Sequence, residues 1–111
     1  MIKDLNLLNI FYNVALENSV SKAANKLHIS QPAVSQNIKA LEEELGISLF
    51  HRTNKGVKLT NEGVEIFNYC KTIFRQIGLL NQTLQDLSTL EAGILNIGAS
   101  DTICKYYLIY N

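Results

Sequence analysis

The chain has 111 residues, is 47% hydrophobic and carries a formal net charge of +0, which allows one ordinary globular core and excludes two full domains. Its start lacks the unbroken apolar run of a signal peptide, and no window approaches the roughly 18 apolar residues of a membrane-spanning helix, so we expect a cytoplasmic protein without a membrane partner. The neutral total hides an asymmetry, because residues 19–58 carry a net +3 and residues 61–111 a net −2.

Three short helices are predicted in the first half of the chain. Apolar residues recur at helical spacing over Asp4 to Glu17, and the first of these residues is placed to cap the helix. Ser21 is expected to cap a second helix that stops near His28. Ser30 caps the third helix, and Gly46 supplies its left-handed stop. Two short helices joined by a tight turn are typical of a helix-turn-helix.

The segment after the third helix predicts a two-stranded wing. The runs Leu49 to Arg52 and Val57 to Leu59 read as short strands, and the residues between them form a turn that ends in glycine. We therefore expect a mainly α fold, a winged helix-turn-helix that occupies residues 1–60.

A long helix is predicted after the wing. Thr60 can cap it, and no proline interrupts residues 61–91, which would span roughly 45 Å. Such a helix outruns any core that this chain can build, although its apolar residues could also face their own domain. The apolar seam has heptad spacing, which predicts a homodimer and leaves higher assembly open. Its members are Ile66, Cys70, Ile73, Ile77, Leu80, Leu84 and Leu87.

The last residues form a third segment, residues 92–111. The run 91–93 is expected to break the long helix, and Ile94 to Gly98 reads as one strand without a partner. We interpret this segment as a stub.

The third helix presents a polar stripe opposite its apolar residues. Val34, Ile38 and Leu41 face inward, so the outward face has no acid before Glu42. Glutamine can pair with adenine, serine can reach a phosphate or a base edge, and a proline ring can contact a thymine methyl. These properties predict double-stranded DNA as the partner. The candidate contact residues of this helix are Ser30, Gln31, Pro32, Ser35, Gln36 and Lys39.

Further candidate contacts flank this stripe. Ser21 and Lys22 lie at the start of the second helix, and Arg52 and Lys55 on the wing can hold phosphates or a minor groove. The acids at 42–44 would be repelled by DNA, which favours entry by the N-terminal end of the helix. A polar stripe can also be an ordinary solvated face, but the tight turn, the capped helix and the basic wing together favour DNA binding.

The sequence closely resembles the N-terminal signature of LysR-type transcriptional regulators from the first helix to the start of the long one. The resemblance implies a linker helix that pairs with a partner subunit, and binding to interrupted palindromic DNA. Val20 and Glu62 depart from the common residues of the family, which affects packing more than DNA contact. The matching residues are Ala23-Ala24, Leu27, Ser30-Gln31-Pro32-Ala33-Val34-Ser35, Ile38, Leu41-Glu42, Leu45-Gly46, Leu49-Phe50, Arg52, Leu59-Thr60 and Gly63.

In this family a two-lobed effector-binding domain follows the linker helix. Residues 93–98 resemble its first strand and residues 106–109 the helix after it. The resemblance therefore implies an expressed fragment or a truncated product, with a small-molecule effector only in a longer parent protein.

Three other functions compete with DNA binding. Cys70 and Cys104 could serve a redox sensor, although they are too few for a disulfide scaffold and more simply remain reduced. A protein-interaction module could use the long helix without binding DNA. An enzyme is the weakest alternative, since His28 and His51 have no acid or nucleophile at a suggestive spacing. We expect no cofactor and no metal site.

Overall fold

The computed structural model describes residues 2–95, and the surroundings of side chains up to residue 89. Within that range the chain is mainly helical, with one antiparallel two-stranded sheet, which confirms the predicted winged helix-turn-helix followed by a long helix. The chain divides into two compact units, one ending at Thr72 and the other beginning at Ile73. The elements are α1 (Leu5–Glu17), α2 (Val20–Leu27), α3 (Gln31–Leu45), β1 (Phe50–Thr53), β2 (Gly56–Leu59) and α4 (Asn61–Leu95).

Local capping sets where the first three helices begin. The Asp4 carboxylate accepts from the Asn6 N–H at 2.8 Å, and the Ser30 hydroxyl accepts from the Ala33 N–H at 3.2 Å, as the sequence predicts. The predicted cap of α2 is wrong. Ser19, not Ser21, adopts an extended conformation and accepts from the Lys22 N–H at 3.1 Å, so the helix begins at Val20 and contains Ser21.

The core lies where α1, α2 and α3 pack together and meet the wing. Phe11, Val14, Val34 and Leu41 are fully buried, and each such side chain contributes about 1.5–3 kcal/mol by leaving water. The Phe11 ring lies 5.3 Å from the ring of Phe50, the first residue of β1. This contact joins the helical core to the wing.

The two strands of the wing pair in register from Phe50 opposite Leu59 to Thr53 opposite Gly56. The wing is held against the turn between α1 and α2, since the Val57 N–H donates to the Asn18 carbonyl at 3.4 Å. A Cβ on Gly56 would lie 2.6 Å from that carbonyl, and Gly56 has a φ of +132°. Glycine is therefore required at this position.

Thr60 joins the wing to α4. Its hydroxyl donates to the Ser48 carbonyl at 2.7 Å and accepts from the Gly63 N–H at 2.9 Å. The predicted cap of the long helix is thus confirmed. Tyr12 of α1 stacks on Phe67 of α4 with ring centroids 5.4 Å apart, which packs the first turns of α4 against α1.

The predicted end of the long helix is wrong, because α4 continues through residues 91–93 to Leu95. Gly93, the glycine of this run, costs about 1 kcal/mol against alanine inside a helix, and this cost alone is too small to end the helix. The strand predicted from Ile94 therefore does not begin there, and the rest of that segment lies outside the described residues. No helix among residues 2–95 has the length and hydropathy needed to span a membrane.

Candidate DNA-binding surface

The turn between α2 and α3 depends on one residue in a left-handed conformation. His28 has a φ of +59°, and its N–H donates to the Asn25 carbonyl at 3.3 Å. The Ile29 N–H then donates to the Ala24 carbonyl at 3.1 Å, which closes the end of α2. Ser30 follows at once as the cap of α3, so the two helices are joined tightly.

The predicted inner and outer faces of α3 are both present. Val34 and Leu41 are fully buried, and Ile38 is 8% exposed. Gln31, Pro32, Gln36 and Lys39 are exposed on the opposite side, and Ser35 is half-buried. Within residues 2–95, no protein group forms a hydrogen bond or ion pair with the side chains of Gln31, Gln36 or Lys39. Their polar atoms are available to an external partner.

A cleft of about 390 Å³ brings the wing beside this face of α3. Apolar side chains of the core, including Ile38 and Phe50, also line it. Its polar members are Ser35, Gln36, Lys39, Glu42 and Arg52. Arg52 is exposed on β1, so its guanidinium and the Lys39 ammonium place two positive charges on one cleft.

The other predicted contact residues lie outside this cleft. Ser21 and Lys22 are exposed in the first turn of α2, and Lys55 is exposed at the tip of the wing. The turn at this tip is fixed by Thr53, whose hydroxyl donates to the Gly56 carbonyl at 3.1 Å and accepts from the Lys55 N–H at 3.3 Å. Ser30 is exposed, but its hydroxyl already caps α3.

Glu42 has a structural role that the sequence does not predict. The sequence indicates an acid that DNA repels, whereas the Glu42 carboxylate accepts from the Leu49 N–H at 2.6 Å, just before β1. Its position four residues after buried Ile38 puts it at the edge of the inner face, where a side chain can reach a neighbouring segment. That spacing was the available signal.

The predicted dimerisation seam lies along α4, but one of its residues is buried within the single chain. Cys70 has no exposed surface, so a partner helix cannot contact it, and this assignment is corrected. The early turns of α4 pack on the winged domain, which explains its burial. The remaining members are partly or fully exposed: Ile66, Ile73, Ile77, Leu84 and Leu87 are half-buried, and Leu80 is 55% exposed.

Burial also determines the chemistry of the Cys70 thiol. Desolvation raises the pKa of Cys70 to about 11, so the thiol is protonated at neutral pH. A thiolate is the reactive form, so the redox-sensor alternative has no support at this residue. Cys104 lies outside the described residues.

The tight turn, the exposed polar face of α3 and the adjoining cationic wing together define a DNA-binding winged helix-turn-helix. The family model of the bacterial regulatory helix-turn-helix protein, lysR family, matches residues 5–64. The chain belongs to the LysR family, as the resemblance predicted.

Two relatives and one solved structure illustrate this similarity. The RuBisCO operon transcriptional regulator of Allochromatium vinosum is 40% identical over 99 residues, which cover 89% of this chain and 33% of that protein. The probable RuBisCO transcriptional regulator of Cyanidioschyzon merolae is 43% identical over 104 residues, 94% of this chain and 34% of that protein. The chain thus spans about a third of the length of these curated relatives.

The DNA-binding domain of BenM, in a crystal structure of its complex with catB site 1 DNA, is 36% identical to this chain. The similarity covers 78% of this chain and 97% of that one, with a TM-score of 0.72. The similarity therefore extends over nearly the whole of a domain whose structure was solved on DNA.

Proposed function

We propose that this chain is the DNA-binding part of a sequence-specific transcription regulator. The observation that carries the proposal is the two-sided character of α3. Val34 and Leu41 are sealed in the core, while Gln31 and Gln36 stand exposed with no partner among the described residues. An exposed helix face of this kind suits the major groove, which admits one α-helix.

The chemistry of α3 favours entry by its N-terminal half. Gln31 and Gln36 can each form two hydrogen bonds with an adenine edge, and the Pro32 ring can contact a thymine methyl. Lys39 then supplies charge toward the backbone. Glu43 is exposed one turn further on and would be repelled if the whole helix lay along the groove.

The wing supplies contacts that carry no base preference of their own. Arg52 shares a cleft with Gln36 and Lys39, so it is placed to hold a phosphate next to the groove that α3 enters. Lys55 is exposed at the wing tip and Lys22 is exposed at the start of α2, and both add positive charge that could hold phosphates.

The protein acts as a homodimer through α4 in this proposal. The heptad seam without Cys70 presents apolar side chains to a second copy, and paired subunits match the two halves of an interrupted palindrome. The site of action is the cytoplasm, where the DNA lies. In this proposal the chain works by binding rather than by catalysis.

A selection from random DNA at two salt concentrations tests the proposal. Wild type should enrich one motif, and its affinity should fall steeply with salt as bound counterions are released. Gln36→Ala should relax preference at one position by about 1–3 kcal/mol, whereas Arg52→Ala should weaken binding to all sequences alike. Gln85→Ala, an exposed glutamine of α4, is the matched control.

Absence of any enriched motif, together with affinity independent of salt, would refute DNA binding and favour the protein-interaction module. Enrichment that Gln31→Ala and Gln36→Ala both leave unchanged would instead refute the assignment of α3 as the base-reading element.

A further inference from the structure

One carboxylate oxygen connects α3 to the wing. Glu42 Oε2 accepts from the Leu49 N–H at 2.6 Å, from the Phe50 N–H at 3.4 Å and from the Ser48 hydroxyl at 3.5 Å. The shortest of these is a charge-assisted hydrogen bond, the stronger class of such bonds. All three donors belong to the segment through which the chain enters β1.

This contact is singular in the described part of the chain. Among residues 2–95, no other hydrogen bond or ion pair runs from a side chain of α3 to the segment 48–53. The apolar contacts of Leu49 and Phe50 hold this segment to the core, but such contacts are non-directional. The hydrogen bonds to the Glu42 carboxylate are directional, so they fix the orientation of this segment.

The position of β1 determines where Arg52 lies. Phe50 begins a strand of four residues, and Arg52 follows two residues later, about 7 Å along the strand. Arg52 pairs with Val57 of β2, and the Val57 N–H donates to the Asn18 carbonyl at 3.4 Å, so the sheet is also held to the turn between α1 and α2. The Glu42 contact attaches the same sheet to α3, the helix that carries the base-reading side chains.

We infer that Glu42 is a positioning residue for DNA binding, which fixes Arg52 at a set distance from the exposed face of α3. The inference rests on the proposed function. It also predicts a change in DNA affinity, on loss of the Glu42 carboxylate, that is opposite in sign to the change predicted by simple electrostatics. Removing a negative charge beside a polyanion should tighten binding, whereas loss of a positioning carboxylate should weaken it.

The test compares Glu42→Ala, Glu42→Gln, Arg52→Ala and the double variant Glu42→Gln/Arg52→Ala on the DNA site that wild type selects. We expect Glu42→Ala to weaken binding about tenfold and to reduce the salt slope by about 1, as Arg52→Ala does. Glu42→Gln should weaken binding less, because its amide oxygen can accept the same hydrogen bonds, although without the charge. In the Arg52→Ala background, Glu42→Gln should cause no further loss.

Glu43→Gln is the matched control, because Glu43 is an exposed neighbour on the same helix. It should bind at least as tightly as wild type. The salt slope separates positioning from mere destabilisation, since a smaller folded fraction lowers apparent affinity at every salt concentration alike.

Glu42→Gln with tighter binding, as for Glu43→Gln, or a folded Glu42→Ala with wild-type affinity and slope, would overturn the inference and leave the proposed function standing. The first of these outcomes does not depend on whether Glu42→Ala folds. Wild type without salt-dependent, sequence-specific binding would overturn the proposed function itself.

Discussion

Gly63, in the first turn of α4, lies so close to the carbonyl oxygen of Leu49 that a Cβ would collide with it. The same Cβ would come within 3.1 Å of the Leu59 side chain. Backbone cannot give way as a flexible side chain can. The packing of the wing segment against α4 thus depends on the absence of a side chain at one position.

Gly63→Ala should lower the free energy of unfolding by about 2–3 kcal/mol, because overpacking against backbone forces a local shift. Denaturant unfolding at one fixed protein concentration measures this. Gly78→Ala is the control. A Cβ there meets nothing within 4 Å, so this variant should gain about 0.5–1 kcal/mol from helix propensity. Equal effects of the two substitutions would show that the contact with Leu49 is not the cause.

Thr60→Val should destabilise the protein by about 1–3 kcal/mol. Valine keeps the shape of threonine but leaves the part-buried Ser48 carbonyl and the buried Gly63 N–H without their partner. Thr72→Val provides the control, because Thr72 is exposed on α4 and should change stability by less than about 0.5 kcal/mol. A Thr60→Val variant as stable as Thr72→Val would contradict the role of this hydroxyl.

His28→Gly should stabilise the protein by about 0.5–1 kcal/mol. His28 occupies the left-handed region at φ +59°, which costs an L-residue energy that glycine does not incur. His28→Ala keeps a Cβ in the same conformation and should give no gain. Thermal unfolding of the three proteins distinguishes the cases, and a stabilisation by alanine equal to that by glycine would count against backbone strain.

The helix limits show which features the sequence predicts by itself. The caps at Asp4, Ser30 and Gly46 are each determined within four residues, and the structure confirms all three predictions. The start of α2 was not, because Ser19 and Ser21 both suit a cap. Only the left-handed turn at Asn18, with a φ of +53°, selects Ser19.

The candidate site also has some features that the sequence predicts by itself and others that depend on the tertiary fold. Helical periodicity alone predicts that Gln31 and Gln36 face outward, because the apolar stripe of α3 fixes the inner face. The role of Glu42 depends on where the segment after α3 returns in space, and periodicity contains no such information. The burial of Cys70 has a similar origin, since a heptad pattern does not tell whether a partner helix or the protein's own domain covers a position.

The buried thiol of Cys70 predicts a dependence of stability on pH. Its pKa is raised from 9.0 to about 11, so the folded protein holds this proton more tightly than the unfolded chain. The resulting stability is present below pH 9 and is lost as the pH rises toward 11. Wild type should therefore lose more stability over this interval than Cys70→Ala, which has no thiol to titrate.

The matching chemical test uses Cys104→Ser, so that Cys70 is the only thiol. Reaction with a disulfide reagent at pH 8 should be slow in buffer and rapid in denaturant. Fast reaction in the native protein would contradict the burial and restore the redox-sensor alternative.

Charge on the seam of α4 should abolish dimerisation. Leu84 is half-buried in the single chain, and a symmetric seam would bring its substituted side chain into an apolar interface. Leu84→Glu should therefore weaken self-association about a hundredfold or more, the effect of one buried unpaired charge. Gln85→Glu adds the same charge to an exposed neighbour and should leave association unchanged. Sedimentation equilibrium gives the dissociation constants.

If both variants associate like wild type, the dimer forms on another surface. If only Leu84→Glu is monomeric, it should still bind a single half-site but lose the preference for two half-sites at fixed spacing, because that preference requires two linked domains.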